Sequence, residues 1–141
     1  MHKEIRISAA LVFRDDGDTL LVRKRGTHAF MQAGGKIEDT EGPKEALVRE
    51  LKEELGLDIA ADRMTPFGSY QAEAANEPGY IVNAYVFLIR LRDEVIAPAA
   101  EIEEARWIDV HNAASLPLAP LTRDRILPAF RQMQLSMELE R

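Results

Sequence analysis

Ile5, Ile7, Ala9, Leu11 and Phe13 alternate with smaller or polar neighbours, a period of two that predicts a half-buried strand. Asp16-Gly17 predicts a tight turn, and Leu20 to Arg25 the strand returning from it. The period then lengthens. Ala46, Leu47, Val48, Leu51 and Leu55 fall at helical spacing; Pro43 suits a first turn, and Thr40 or Gly42 is available as a cap. Gly56 stands where a left-handed residue ends a helix, so the predicted helix covers 43–55. Ile59 to Gln71 is a weaker mixture broken by Pro66 and Gly68. Tyr80 to Leu91 is nearly continuously apolar and β-branched, as in a central strand, and Asn76-Glu77-Pro78-Gly79 is the predicted loop between the two. Trp107-Ile108 predicts a short strand and Val110 to Ser115 a helical turn, after which Pro117 and Pro120 interrupt the chain. Ile126, Leu127, Phe130 and Met133 are spaced for an amphipathic C-terminal helix that Pro128 kinks or restarts. Helices interleaved with strands, and no internal repeat, predict an α/β fold layered α/β/α.

The helix over 43–55 carries more than a packing stripe. At about 100° per residue, Leu47, Leu51 and Leu55 share one face, and Glu50, Glu53 and Glu54 fill an adjoining arc roughly 100° wide. Like charges at this spacing repel, and more so beside an apolar stripe, so the cluster calls for positive charge. Arg49 is one guanidinium against three carboxylates. All-oxygen ligands favour Mg²⁺, Mn²⁺ or Ca²⁺ over zinc, and no His or Cys lies in the segment; Mg²⁺ is the first choice, with Mn²⁺ as a substitute. A solvated acidic face is the simpler reading of Glu-x-x-Glu-Glu alone. Gly34-Gly35 just upstream argues against it, because paired glycines let a peptide carbonyl approach a cation without Cβ hindrance.

The 141 residues suit one domain, expected over 1–141, and the chain has no cysteine. The apolar runs are too short to span a bilayer and no leader pattern opens the chain, so a cytoplasmic protein without membrane contact is expected. A net charge of −6 speaks against binding long nucleic acid. Seven acidic residues lie between Glu38 and Glu54, where bound cations would invert the local field and admit a polyphosphate.

Gly35, five spacers, Glu41, seven spacers and then Arg49-Glu50-Leu51-Lys52-Glu53-Glu54-Leu55-Gly56-Leu57 resemble the Nudix box at every defining position. The box covers about a sixth of the chain and is the signature of hydrolases acting on a nucleoside diphosphate linked to another moiety. The resemblance implies a Nudix-like α/β/α sandwich with a mixed central β-sheet and the box helix packed against it. It further implies that Glu50 and Glu54 are metal ligands, that Glu53 is a ligand or supports one, and that the Gly34 carbonyl touches metal. Arg49 would orient the carboxylates and Glu41 would anchor the loop to the helix. Many members have Pro before the paired glycines; this sequence has Ala33, which bears on loop rigidity rather than chemistry.

A further family ligand or base usually comes from a distal loop, which Glu101-Ile102-Glu103-Glu104-Ala105-Arg106-Trp107 resembles, with Glu101 favoured ahead of Glu104 and Glu103. The general base is Glu53 or one of Glu101, Glu103 and Glu104. Arg23, Lys24, Arg25 and Lys36 surround the box in sequence and could hold outer phosphates; Phe30, Tyr70, Tyr80, Tyr85 and Asn83 could stack on or read a base. Of these, Arg23, Arg25, Lys36, Tyr70 and Asn83 are the candidate substrate contacts.

The Pro or Tyr that marks ADP-ribose or dinucleoside-polyphosphate members falls on Glu73 here. A MutT-like nucleoside triphosphate pyrophosphohydrolase, acting on oxidised nucleotides among others, is the default by elimination. The alternatives are a pyrophosphatase of ADP-ribose or another nucleoside diphosphate derivative, and a nucleotide sensor without turnover. A carboxylate-bridged redox site would want Glu-x-x-His pairs, which His2, His28 and His111 do not form. The partner expected is a small nucleotide, and a homodimer is compatible with the apolar strand or C-terminal helix as an interface.

Overall fold

The computed structural model describes residues 3–74 and 78–139; Asn76 and Glu77 of the expected loop lie outside the described residues. Seven strands form one mixed sheet. β1 (Lys3–Phe13) pairs along its whole length in parallel with β6 (Tyr80–Arg90), and β5 (Thr65–Glu73) pairs antiparallel on the far side of β6. On its other edge β1 is shared. Its middle, Ile7 to Ala10, pairs with β4 (Ala33–Lys36), and its end, at Phe13, meets the start of β2 (Thr19–Lys24). β2 then pairs with the two-residue β3 (Phe30–Met31) and with β7 (Ile102–Ile108).

The alternation in β1 predicted one buried face, whereas Ser8 to Val12 are buried on both. Both faces of the sheet are covered, and the small Ser8, Ala9 and Ala10 allow close approach. α1 (Pro43–Leu55) covers one face within the predicted boundaries. It starts from Gly42 without a side-chain cap, and Ser8 Oγ ties the first turn down by donating to the Pro43 carbonyl at 2.6 Å. It stops at Gly56, whose φ of 66° is left-handed and whose N–H caps the last carbonyls. Leu47, Leu51 and Leu55 are fully buried against Ala10, Val12, Leu20, Val22 and Ile89, each burial stabilising by about 1.5–3 kcal/mol.

The other face is covered from the C-terminal end of the chain, where Ile126 and Phe130 pack on Ala9, Leu11, Ala84 and Val86. The expected kink at Pro128 takes a definite form. A π-helical turn, Thr122–Ile126, runs directly into α2 (Leu127–Leu139), with Pro128 at the second position of the new helix. Pro128 has no N–H to give back, and the wider turn lies immediately before it.

Two expectations about loops change. The acidic run at 101–107 is not a loop: Glu104 and Arg106 pair with β2 within β7, Glu103 lies in the same strand at the register shift, and only Glu101 stands before it. Thr65 to Glu73 is a regular strand despite Pro66 and Gly68, which sit at a register shift where a missing donor is tolerated. Val110–Ser115 forms the predicted turn as a 3₁₀ helix. Among the described residues no helix is long and apolar enough to cross a membrane.

Candidate active site

Glu54 is the most unusual side chain in the molecule. It stands in the last turn of α1, on the edge of the leucine stripe, and is only 2% exposed. Its Oε1 accepts the Gly34 N–H at 2.9 Å, while Oε2 is buried and has no hydrogen-bond partner among the described residues. Burial pushes the carboxyl up to about 7, against the Gly34 hydrogen bond; the Glu50 and Glu101 charges push the same way, and Lys24 opposes them. Those influences place Glu50, Glu101 and Lys24 around one buried carboxylate.

The paired glycines make the space for it. Gly34 has a φ of 148° and its missing Cβ would collide with the Ser8 carbonyl across the β1–β4 ladder. At Gly35 a Cβ would stand 2.5 Å from the Glu50 carboxylate carbon. Any other residue there would displace the Glu50 carboxylate.

Arg49 organises the outer part. Its fork donates to Glu41 twice, at 2.6 and 3.1 Å, to Glu50 at 2.8 Å and to the Lys36 carbonyl at 3.1 Å, and lies 3.7 Å from Glu53. Glu41 in turn accepts the Glu38 N–H at 3.0 Å, so one guanidinium joins β4, the 37–42 connection and α1. The Glu41 carboxyl is held low by Arg49 first and by that N–H second. Glu50 is half-buried under Gly35; Glu53 points outward at 54% exposure.

The remaining candidates divide. Arg23 lies 3.4 Å from Glu104 and donates to the Thr27 carbonyl, and Arg25 donates to Glu103 at 3.1 Å. Glu104 is also held by Arg106, which is the main reason its carboxyl is lowered. Lys36 ends β4, across the ladder from Ile7. Tyr70 packs on the α2 side with the Arg125 guanidinium 5.5 Å above its ring. Asn83 neighbours Ala84 in β6, so it faces the opposite side of the sheet from Tyr70, the side where Tyr85 packs toward α1. One surface cannot hold both.

Two pairings went unread in the sequence, although Lys24 itself was a candidate for the outer phosphates. Lys24 stands beside Glu101, its Nζ 3.4 Å from Oε1. The signal was the alternation Leu20, Val22, Lys24, which puts Lys24 on the α1 face once Leu20 and Val22 are known to pack there. Gln32, 7% exposed, accepts from Thr122 Oγ1 at 2.8 Å and leaves its Nε2 without a partner among the described residues. No local pattern joins positions ninety residues apart. A cavity of about 590 Å³ lies elsewhere, lined by Phe13, Arg14, Arg90, His111, Phe130 and Met133 among others, and holds none of the box residues.

Among the described residues no three His, Cys, Asp or Glu side chains form a ready-made metal cage. The donors that could be drawn around a cation are nevertheless oxygens throughout: Glu50, Glu54, Glu53, Glu101 and the Gly34 carbonyl. The unpaired Glu54 oxygen and the Glu50 carboxylate seated under Gly35 suit a hard divalent ion.

The profile of the NUDIX domain matches residues 3–130. The chain is 32% identical over 124 residues to the CTP pyrophosphohydrolase of Escherichia coli, spanning 84% of this chain and 85% of that protein. It is 36% identical over 62 residues to the 8-oxo-dGTP diphosphatase of Proteus vulgaris, spanning 40% of this chain and 54% of that one. The solution structure of the Escherichia coli ORF135 protein superposes with a TM-score of 0.75 at 29% identity, covering 96% of this chain and 94% of that chain.

Proposed function

This chain belongs to the Nudix family and is a hydrolase of acid anhydrides, and we propose that it cleaves a nucleoside triphosphate to the monophosphate and pyrophosphate with the help of Mg²⁺. The observation that carries the reading is Glu54: a carboxylate 2% exposed, one oxygen of which has no partner among the described residues, gathered with Glu50 behind two glycines. An unpaired buried acceptor costs about 1–3 kcal/mol, a cost a bound cation would offset.

Glu50 and Glu54 would hold the ion, joined by Glu53, Glu101 and the Gly34 carbonyl. Bound there, a divalent cation supplies charge neutralisation on the phosphate oxygens and makes a water more acidic. Arg49 fixes the Glu50 carboxylate through its Glu41 anchor, so Glu50 is oriented before substrate arrives. Glu103 and Glu104 are engaged by arginines, which leaves Glu53 and Glu101 to accept the proton of the attacking water. Asn83, on the face of the sheet that α1 and its carboxylates cover, would be the substrate contact from β6. Tyr70 and Lys36 lie on the opposite face, with α2, and Arg23 and Arg25 are already paired.

A relative that spans 84% of the chain is named for CTP, and one named for 8-oxo-dGTP spans 40% of it, so a pyrimidine triphosphate is the substrate proposed first. A panel of nucleoside triphosphates, 8-oxo-dGTP, nucleotide sugars and ADP-ribose with Mg²⁺, followed by release of pyrophosphate or phosphate, tests this. CTP or a related pyrimidine triphosphate should give pyrophosphate with the highest kcat/KM. Turnover of ADP-ribose alone, or of none, overturns the assignment.

A further inference from the structure

β2 ends in the cations Arg23 and Lys24, with Arg25 directly after it, and only Lys24 turns toward the carboxylates. Leu20 and Val22 pack beneath α1, and Lys24 follows them on that face. Arg23 faces the other way, to Glu104, and Arg25 reaches Glu103. The β2–β7 ladder slips between Arg23 and Lys24, so Lys24 is registered with Ile102 while Arg23 is registered with Glu104. Slips of this kind re-aim side chains beside active sites. Here it sets Lys24 next to Glu101, which immediately precedes β7.

The backbone holds that juxtaposition. The Arg25 N–H donates to the Glu101 carbonyl at 2.8 Å, and the Lys24 carbonyl accepts from both the N–H and the hydroxyl of Thr27, at 3.0 and 2.8 Å. The side chains are then free to meet, with Lys24 Nζ 3.4 Å from Glu101 Oε1. They are 37% and 58% exposed, and ion pairs of such exposure are weak and readily exchanged. A lysine suits exchange better than an arginine, being a compact charge on a flexible stem.

We propose that Lys24 is the resident counter-ion of the carboxylate cluster, surrendering Glu101 to the divalent cation and then meeting the phosphate chain of the substrate. The proposal rests on the hydrolase reading above and adds an exchange to it. Lys24 opposes free metal, because both compete for Glu101, and favours nucleotide, because its released ammonium gains a phosphate. Removing it therefore has effects of opposite sign on the two ligands.

The test is Mn²⁺ titration of the full chain, with free Mn²⁺ read by electron paramagnetic resonance, for the wild type, Lys24→Gln, Glu101→Gln and the double variant. CTP KM is measured alongside, and Lys24→Met serves as a second neutral substitution. Either neutral variant should bind Mn²⁺ about three- to tenfold more tightly, the size expected for removing one partly screened like charge, and should raise KM. The gain in Mn²⁺ affinity should vanish in the Glu101→Gln background. An equal gain in both backgrounds would mean diffuse repulsion, and unchanged or weaker Mn²⁺ binding would mean that Lys24 does not compete; either result overturns the proposal and leaves the hydrolase reading standing. A wild type that binds no Mn²⁺ removes both.

Discussion

Glu54 combines two demands that few carboxylates meet. Its Oε1 is held by the Gly34 N–H, which aims the group, and its Oε2 is buried without a partner among the described residues. Glu54→Gln keeps the shape and can still accept from Gly34, so the fold should persist with a near-native circular dichroism spectrum. Mg²⁺-dependent pyrophosphate release should nevertheless fall by about 10²-fold or more, since an amide cannot neutralise the cation; full activity in this variant would end the assignment. The spacing of Glu50, Glu53 and Glu54 was readable from the chain because a helix converts spacing into a face. The pairing of Arg23 with Glu104 and of Lys24 with Glu101 was not, because the partners come from β7 and the residue just before it, about eighty residues away.

Elements behave differently from residues, since each is legible only as far as its own period reaches. α1 kept its predicted limits, with Pro43 at one end and left-handed Gly56 at the other. β1 read as half-buried because its alternation is real, yet layers on both faces bury Ser8 and Ala10 as well. The segment joining β6 to β7 had no period to read, and a local network shapes part of it. Glu94 accepts from the N–H groups of Arg92 and Asp93 and pairs with Arg63 at 2.6 Å, tying this segment to the 3₁₀ turn Ala61–Arg63. The Arg92 N–H first, and Arg63 with it, hold the Glu94 carboxyl down to about 2 from an ordinary value of 4.5. A lowered carboxyl stabilises the fold above its unfolded value, and that contribution fades as pH falls through the folded one. Between about pH 4.5 and 2, therefore, Glu94→Gln should lose stability less steeply than wild type, as read from urea midpoints. Parallel slopes in the two proteins would remove Glu94 from the acid response.

At the scale of the whole molecule, the apolar clusters on the two faces of the sheet contain none of the box carboxylates. Fold and chemistry are in this sense separable. Treatment with EDTA should abolish turnover and lower the urea midpoint by no more than the stabilisation the cation supplies, leaving the chain folded, and Mg²⁺ or Mn²⁺ should restore both. Turnover that survives the chelator would exclude a divalent ion from the reaction. The sequence by itself determined the alternating layers, the helix over 43–55 and the three carboxylates on its face. Each of these follows from local periodicity, which hydrogen-bond geometry imposes within a single segment. Only the tertiary structure decided that β1 is central and that the acidic run at 101–107 is a strand. It alone set Lys24 beside Glu101 and buried one oxygen of Glu54 without a partner among the described residues. Those outcomes depend on which face of one segment meets which face of another, and no period along the chain carries that information.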